Sequence, residues 1–267
     1  MKKLLIAICL VCLLTVGCAK KNSIDDKKLI VGATTTPHAE ILELCRSYIE
    51  AAGYEFEIVE YTDYVLPNLS LWNGDLDANF FQHQPYLTQF NESNHTQLSS
   101  VLAVHFEPLG LYRGLGEPLA TIAEGSRIAI PNDATNCARA LHLLSQLGLI
   151  DINTSKGLLA TENDITSNPK NLQVIALEAA SIPSQLVGFD YGVINGNYAL
   201  SSGISLTSLL ATENPESLAA DTYANIVAVK TGNENKEAIL ILIEALTQEL
   251  IAEYILTTYH GLVLPVE

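Results

Sequence analysis

The sequence predicts an α/β fold made of two lobes with a cleft between them. Strand and helix patterns alternate twice along the chain, once from residue 29 and again from residue 127. A repeated βα order favours parallel strands covered by helices, and two separate starts favour two such bodies. With 267 residues, the chain is long enough for one large or two moderate domains.

The first alternation predicts three strands with helices between and after them. In chain order its elements are the strand 29–34, the helix 37–52, the strand 55–61, a helix from about 64 to 72, the strand 77–81 and a helix that starts at Pro85. Gly53 ends the first helix in the manner of a C-terminal cap. Pro85 fits a first helical turn because the N–H that proline lacks is unpaired there in any case.

The second alternation predicts the other lobe, after which the chain returns to the first. Its elements are the strand 127–131, the helix 133–147 and the strands 172–177 and 190–195. The extended segment 99–113 is the crossover, and the strand 223–230 brings the chain back so that the helical stretch 235–259 packs on the first lobe. The expected bounds are 29–108 and 206–267 for lobe 1, and 109–205 for lobe 2.

The N-terminus has the three parts of an export signal. Lys2 and Lys3 precede an apolar run over residues 4–16, and the small residue Gly17 comes directly before Cys18. The run is too short to span a bilayer comfortably, so residues 1–17 are predicted to be a signal peptide and not an anchor helix.

The segment LTVGC resembles a bacterial lipobox, in which the thiol of Cys18 is lipidated and Cys18 becomes the first residue of the mature chain. Thr15 departs from that pattern, which prefers leucine there. Simple secretion, with Cys18 inside the signal peptide, is the alternative. Residues 18–28 are polar with little apolar pattern, as expected of a lipidated, flexible tether.

Charge excludes one class of partner. The chain has 14 Lys and Arg against 30 Asp and Glu, and removal of the signal takes away Lys2 and Lys3, which leaves 12 against 30, or −18. Such a chain repels nucleic acid and anionic membrane surfaces, and no basic stripe interrupts the acidity. No nucleic-acid partner is expected.

Cysteine usage bears on the possibility of an enzyme. Cys45 and Cys137 lie in apolar helical patterns, so buried free thiols are predicted in preference to a bridge. An enzyme would need one of these cysteines as a nucleophile beside His38, His83 or His142. Since the chain has no nucleophile elbow, phosphate loop or metal-ligand spacing, no catalysis, cofactor or metal is expected.

The most informative segment is DANFFQHQPY, where a predicted strand meets a helix. Ligands of open α/β sheets bind at the carboxyl ends of strands, so the rings at this junction can form a pocket wall. Neighbouring residues of a strand face opposite sides, so one of Phe80 and Phe81 is expected in the core and the other at the cleft. His83 and Tyr86 are three residues apart on a helix and suit the same wall.

The second lobe supplies polar groups opposite these rings. Asp133 is placed to cap the helix after the strand 127–131, and Arg139 follows in its second turn, where a guanidinium can bind a carboxylate. A surface ion pair is the alternative for Arg139. Asn195 and Asn225 stand at the end of, or within, predicted strands, and a buried amide can accept from an α-ammonium group; Asn197 is a further candidate.

Six segments in order resemble the motifs of the NlpA-type methionine-binding lipoproteins, the substrate-binding components of bacterial methionine ABC importers. They are DYVLPN (63–68), GDLDANFFQHQPYL (74–87), IPNDATNCARAL (130–141), NPKNLQVIALEA (168–179), VINGNYA (193–199) and YANIVAVK (223–230). The resemblance covers essentially the whole mature chain. It implies a type II periplasmic-binding-protein fold, two lobes joined by a hinge.

Carried over by motif, the resemblance implies a site for L-methionine. The residues expected around its side chain are Tyr64, Phe81, His83 and Tyr86. Arg139 would bind the carboxylate, and Asn195 and Asn225 would hold the amino-acid head. The implied partners are an importer permease with its ATPase, and the membrane through the lipid anchor. The protein is expected to be a monomer in the cell envelope, facing the periplasm or exterior.

The residues leave other ligands open. D-Methionine, a methionine-containing dipeptide and another apolar amino acid all fit the same wall and polar groups. A surface adhesin or antigen that has kept the fold but lost transport is a further alternative, although a complete set of pocket residues argues against it.

Overall fold

The computed structural model describes residues 27–214 and 221–266, and this part of the chain contains two large sheets flanked by helices. The predicted signal peptide, Cys18 and the tether up to residue 26 lie outside the described residues. Within the described ranges, no helix combines the length and the apolar character needed to cross a bilayer.

The strands and helices follow the two predicted alternations. The strands described are β1 (Lys28–Thr34), β2 (Glu55–Tyr61), β3 (Ala78–His83), β4 (Leu98–Phe106), β5 (Gly110–Arg113), β6 (Arg127–Pro131), β7 (Asp151–Ile152), β8 (Ile165–Ser167), β9 (Gln173–Leu177), β10 (Tyr191–Ile194), β11 (Leu209–Thr212), β12 (Asn225–Lys230) and β13 (Leu264–Pro265). The α-helices described are α1 (Glu40–Ala51), α2 (Leu66–Asn73), α3 (Gln84–Asn94), α4 (Ala134–Gln146), α5 (Ile182–Gln185), α6 (Gly196–Ser201), α7 (Glu237–Leu246) and α8 (Glu249–Tyr259).

The first sheet has the strand order β13-β4-β12-β3-β1-β2. Its β1 strand is parallel to β2 and to β3, as the βα order predicts. The β12 strand lies antiparallel between β3 and β4, because it enters this sheet on the way back from the other lobe.

The second sheet has the order β11-β5-β10-β6-β9. Here β6 is parallel to both β9 and β10, whereas β5 is antiparallel to β10 and β11. The predicted two-lobed α/β architecture is confirmed: each sheet has its own apolar core, one centred on β1 with α1, α7 and α8, the other on β6 and β10 with α4.

Three details differ from the sequence prediction. The predicted tether 18–28 extends too far, because Lys28 already pairs with Glu55 as the first residue of β1. The helical stretch 235–259 is two helices, α7 and α8, separated at Thr247 and Gln248, although both pack on the first sheet as predicted. The strand β11 belongs to the second sheet, so the chain returns to the first lobe after residue 212 and not at the predicted residue 206. The reason is that β11 pairs with the edge of β5 that β10 leaves open.

The chain therefore passes between the sheets twice, in 107–109 after β4 and between β11 and β12. The two passages are held together, since Glu213 donates its N–H to the carbonyl of Leu109 and accepts the Leu109 N–H on its carboxylate, at 3.0 and 2.8 Å. Glu107 lines the cavity described below, and Glu213 is hydrogen-bonded to Arg139 in its lining.

A pair of neighbouring residues on α8 tests the core of the first lobe. Ile255 is fully buried among β1, α1 and α7, whereas Leu256 is 55% exposed. Ile255→Ala should lower the free energy of unfolding by about 2–5 kcal/mol because it leaves a cavity. Leu256→Ala is the control and should change it by less than about 0.5 kcal/mol. Urea unfolding followed by circular dichroism measures both; equal effects would contradict the packing.

Candidate functional site

A small cavity lies between the two sheets, next to the ends of β3, β6 and β10. Carboxyl ends of strands are where α/β sheets bind ligands. All seven residues predicted to bind the ligand line this one cavity. The lining residues are Tyr64, Phe81, Gln82, His83, Tyr86, Glu107, Asn136, Arg139, Asn195, Gly196, Asn197 and Asn225.

Aromatic rings form one end of the cavity. The Tyr64 ring centroid lies 5.8 Å from those of Phe81 and Tyr86, and it stacks on Tyr198 of the second lobe at 4.7 Å. The Tyr86 hydroxyl donates to the Tyr64 carbonyl at 2.9 Å, which fixes the two rings together. Phe80 is fully buried in the core of the first lobe, as predicted.

The local fold of β3 explains how Phe81 reaches the cavity. The β3–β12 pairing shifts between Gln82 and Phe80, so Phe81 is left as the extra residue of a bulge. Bulges re-aim a side chain next to functional sites. Directly after it, His83 caps α3 by accepting the Tyr86 N–H on Nδ1 at 3.2 Å.

The polar end is built around Arg139, which is buried on α4. Its Nε donates to both carboxylate oxygens of Glu213, at 2.7 and 2.9 Å, and its Nη2 donates to Glu213 Oε2 at 2.5 Å and to the Glu107 carbonyl at 2.7 Å. Among the described residues, Nη1 has no acceptor. The predicted alternative of a surface ion pair does not hold, since Glu213 is also buried.

The N-terminus of α4 adds a small amide network. Asp133 caps the helix by accepting the Asn136 N–H at 3.0 Å, and it also accepts from the Asn136 side-chain amide. Asn136 Oδ1 then accepts from Asn195 Nδ2 and lies next to His83 Nε2, both at 3.1 Å. Asn195 Oδ1 is buried and has no hydrogen-bond partner among the residues described.

Direct contacts join the lobes across the cavity. His83 of the first lobe meets Asn136 of the second, and the Tyr64 hydroxyl donates to Asn197 Oδ1 at 2.5 Å. Asn197, the additional sequence candidate, therefore faces the cavity. The lobes are closed on each other in this structure.

Sequence reasoning missed four polar residues of the site, Gln82, Glu107, Asn136 and Glu213. Glu107 and Glu213 stand singly at the two passages between the sheets, where no local pattern distinguishes them from surface acids. Asn136 had a usable signal, because it lies three residues after the cap Asp133 in a cluster of small polar residues.

Burial keeps the nearby histidines neutral. Loss of hydration lowers the pKa of His83 to about 3, helped by the Arg139 charge, and lowers the pKa of His105 to about 3. Burial likewise lowers the pKa of His38 to about 4, against the opposing effect of Glu107. These rings act as hydrogen-bonding groups at neutral pH.

One group of described residues has the chemistry of metal ligands. The ligand-type atoms of His38, His105 and Glu107 lie within 4.8 Å of one another, behind the cavity. Their spacing is that of hydrogen bonds, with His105 Nε2 2.8 Å and His38 Nε2 3.4 Å from Glu107 Oε1. These contacts explain why the three residues lie together, and they support Glu107 in the lining of the cavity.

The cysteines do not form a nucleophilic centre. Within the described residues Cys45 and Cys137 are buried free thiols, which confirms the sequence prediction. Burial raises the pKa of each thiol to about 12. Activated cysteines have a lowered pKa, so neither thiol has the environment of a catalytic nucleophile.

A two-lobed α/β body that closes over an internal cavity with a buried arginine is the architecture of solute-binding proteins. Within that class, a sequence profile described as NlpA lipoprotein matches residues 29–267. The chain belongs to the NlpA lipoprotein family. It is similar to the methionine-binding lipoprotein MetQ of Bacillus subtilis strain 168, at 34% identity over 94% of this chain and 93% of the relative.

Solved structures agree with this assignment. A lipoprotein of Ruminococcus gnavus ATCC 29149 is 48% identical, with a TM-score of 0.88 over 90% of this chain and 100% of the other. A nutrient-binding protein of Burkholderia cenocepacia, solved bound to methionine, is 33% identical, with a TM-score of 0.84 over 90% of this chain and 100% of the other. The type II binding-protein fold is thereby confirmed.

The neutral His83 makes stability depend on pH. Unfolded histidine has a pKa of about 6.5, whereas the folded ring has a pKa of about 3, so the unfolded state binds one more proton between these values. Each such histidine should lower the free energy of unfolding by about 1.4 kcal/mol per pH unit as pH falls below 6.5.

Urea unfolding between about pH 7 and pH 5 measures this dependence. His83→Gln should reduce the slope by one proton relative to the wild type. His95→Asn is the control, because His95 is exposed, and should keep the wild-type slope. A slope that His83→Gln leaves unchanged would contradict the buried neutral ring.

Proposed function

We propose that this protein captures L-methionine in the cavity and delivers it to an ABC importer. The observation that carries the proposal is the pairing, within one closed cavity, of a buried guanidinium at one end with a wall of aromatic rings at the other. An amino acid with a large apolar side chain matches both ends.

The polar end suits an α-carboxylate. Arg139 uses Nε and Nη2 for Glu213 and Glu107, so Nη1 is the part of the guanidinium left for an anion. Charge-assisted hydrogen bonds of this kind are among the strong ones in proteins. Asn195 and Asn225, at the same end, supply amide groups for the rest of the amino-acid head.

The aromatic end suits a thioether. Sulfur is polarizable and gains roughly 0.3–1.5 kcal/mol from each contact with a ring. Tyr64, Phe81 and Tyr86 present rings within about 6 Å of one another, so a thioether placed among them touches several at once. The relatives named for methionine, and the neighbour solved with methionine, support this ligand.

Other ligands and roles are less well supported. D-Methionine and another apolar amino acid share the charged head, and a methionine-containing dipeptide would need more room than the closed cavity offers. A role as an adhesin or as an enzyme gives no reason for aromatic rings and a buried guanidinium to line the same cavity. The family is one of substrate-binding lipoproteins, and we propose that this member has no catalytic activity.

Anchoring at the membrane completes the proposed function. A lipid attached at Cys18, including palmitate, would hold the segment before β1 at the membrane and leave the lobes outside the cytoplasm, where they can deliver the ligand to the permease that the ATPase drives. A monomer of this kind needs no cofactor. Membership of a lipoprotein family supports this arrangement.

Substitution of Arg139 tests the carboxylate site. Arg139→Ala should abolish the thermal shift that L-methionine produces in ligand-free, refolded protein, since a ligand that binds only the native state stabilises it. Arg139→Lys keeps a cation for Glu213 but loses the planar fork, and should weaken binding roughly 10- to 100-fold.

Calorimetry with L-methionine measures both variants against a panel of amino acids and dipeptides. Arg113→Ala, an exposed arginine of the second sheet, is the control and should bind as the wild type does. Full binding by Arg139→Ala would show that the carboxylate site is misassigned.

Substitution of Cys18 tests the anchor. Cys18→Ser removes the thiol that would carry the lipid, so the protein should no longer incorporate radiolabelled palmitate and should leave the membrane fraction. The mature lobes are untouched, and methionine binding should persist. Cys12→Ser is the control within the signal region and should still be labelled; labelled Cys18→Ser protein would disprove lipidation at this position.

A further inference from the structure

Two buried histidines are hydrogen-bonded toward the two amides that face the ligand, with His83 in the lining of the cavity and His38 behind it. His38 lies next to Asn225, and His83 is connected to Asn195 through Asn136. Both rings are neutral at physiological pH, so each carries a single N–H. The partner of one ring nitrogen then decides what the other nitrogen can do.

The hydrogen bonds of His83 determine the orientation of Asn195. A backbone N–H can only donate, so the Tyr86 N–H makes His83 Nδ1 an acceptor and places the ring proton on Nε2. Nε2 then donates to Asn136 Oδ1, whose own NH₂ is held by Asp133. Asn195 donates its NH₂ to the same Oδ1. What remains for the cavity is Asn195 Oδ1, an acceptor without a partner among the described residues.

The surroundings of His38 determine the orientation of Asn225 in the opposite sense. Its Nε2 lies 3.1 Å from Asn225 Oδ1 and 3.4 Å from Glu107 Oε1, and a nitrogen between two oxygens needs its proton there. The Thr34 hydroxyl, 2.6 Å from Nδ1, can donate to the bare nitrogen. Because Asn225 Oδ1 accepts from His38, its NH₂ is the group left for the cavity.

We propose that these two histidine relays give the asparagines opposite polarity toward the ligand, so that Asn195 accepts from an α-ammonium and Asn225 donates to the α-carboxylate beside Arg139. The inference rests on the proposed amino-acid ligand and adds its orientation. His38 touches no ligand in this arrangement and is a positioning residue, as is Asn136. The site is therefore built for a free ammonium and a free carboxylate on one carbon atom.

The two histidine relays favour ligand binding because they fix the orientation of each amide. An asparagine can present its oxygen or its NH₂ with almost no change of shape, and a buried polar group that meets the wrong partner loses most of its favourable interaction. Holding each amide through a histidine removes that ambiguity before the ligand arrives. Such preorganisation favours binding because less order has to be created on association.

Ligand analogues that lack one charged group test the assignment. L-Methioninol lacks the carboxylate, and deamino-methionine lacks the ammonium. If Asn225 donates to the carboxylate, Asn225→Ala should weaken L-methionine binding by about 10- to 100-fold but L-methioninol binding by less than about 3-fold. Asn195→Ala should show the corresponding selectivity, with deamino-methionine the less affected ligand. The reverse pattern would overturn the proposal.

Substitution of His38 tests the relay itself. His38→Leu removes the donor to Asn225 and should reproduce the Asn225→Ala pattern, with a loss of about 10-fold for L-methionine and little for L-methioninol. His38→Gln keeps an N–H in the region of Nε2 and should restore most of the affinity. Equal losses for both ligands in His38→Leu would show a merely structural role and overturn the relay.

Calorimetry on ligand-free protein measures all affinities, and thermal unfolding without ligand reports folding separately. Wild-type protein that fails to bind L-methionine would remove the proposed function itself. Wild-type protein that binds L-methionine, with variants that do not discriminate the analogues, would remove only the polarity assignment.

Discussion

The buried ion pair between Arg139 and Glu213 is the interaction on which the rest of the site depends. Arg139 also donates to the Glu107 carbonyl, so one guanidinium joins both passages of the chain between the sheets. Loss of one partner would leave a buried charge uncompensated, which typically costs about 3–5 kcal/mol. The pair thus holds the junction of the lobes and keeps a cation at the cavity, with the Tyr223 ring 4.4 Å from the guanidinium carbon.

Around this charge, the cavity separates polar from apolar contacts. The rings that line the cavity come from the first lobe, from β3, the first turn of α3 and the segment before α2, and are fixed by the Phe81 bulge and the His83 cap. The amides come from both lobes and are fixed by neutral histidines. Closure of the lobes brings the two sets together, so ligand binding and lobe contact depend on the same residues, as in His83 with Asn136.

Much of the fold was predictable because its signals are local. Apolar alternation and caps located nearly every strand and helix that frames the site, and β2 and β6 match their predicted bounds. The break between α7 and α8 was missed because the residues there keep an apolar helical pattern. Residues 209–212 were placed in the first lobe because no strand was recognised there, and their pairing depends on a partner, β5, that lies far away in the sequence.

The sequence by itself determined the class of fold, the family resemblance and seven residues that line the cavity, because each of these depends on short motifs read in order. Only the tertiary structure decided what those residues do to one another. Glu213 became the counter-ion of Arg139, and His38 became the neighbour of Asn225, across 74 and 187 positions of the chain. Hydrogen-bond direction depends on distances between such remote groups, and no local pattern in a sequence encodes them.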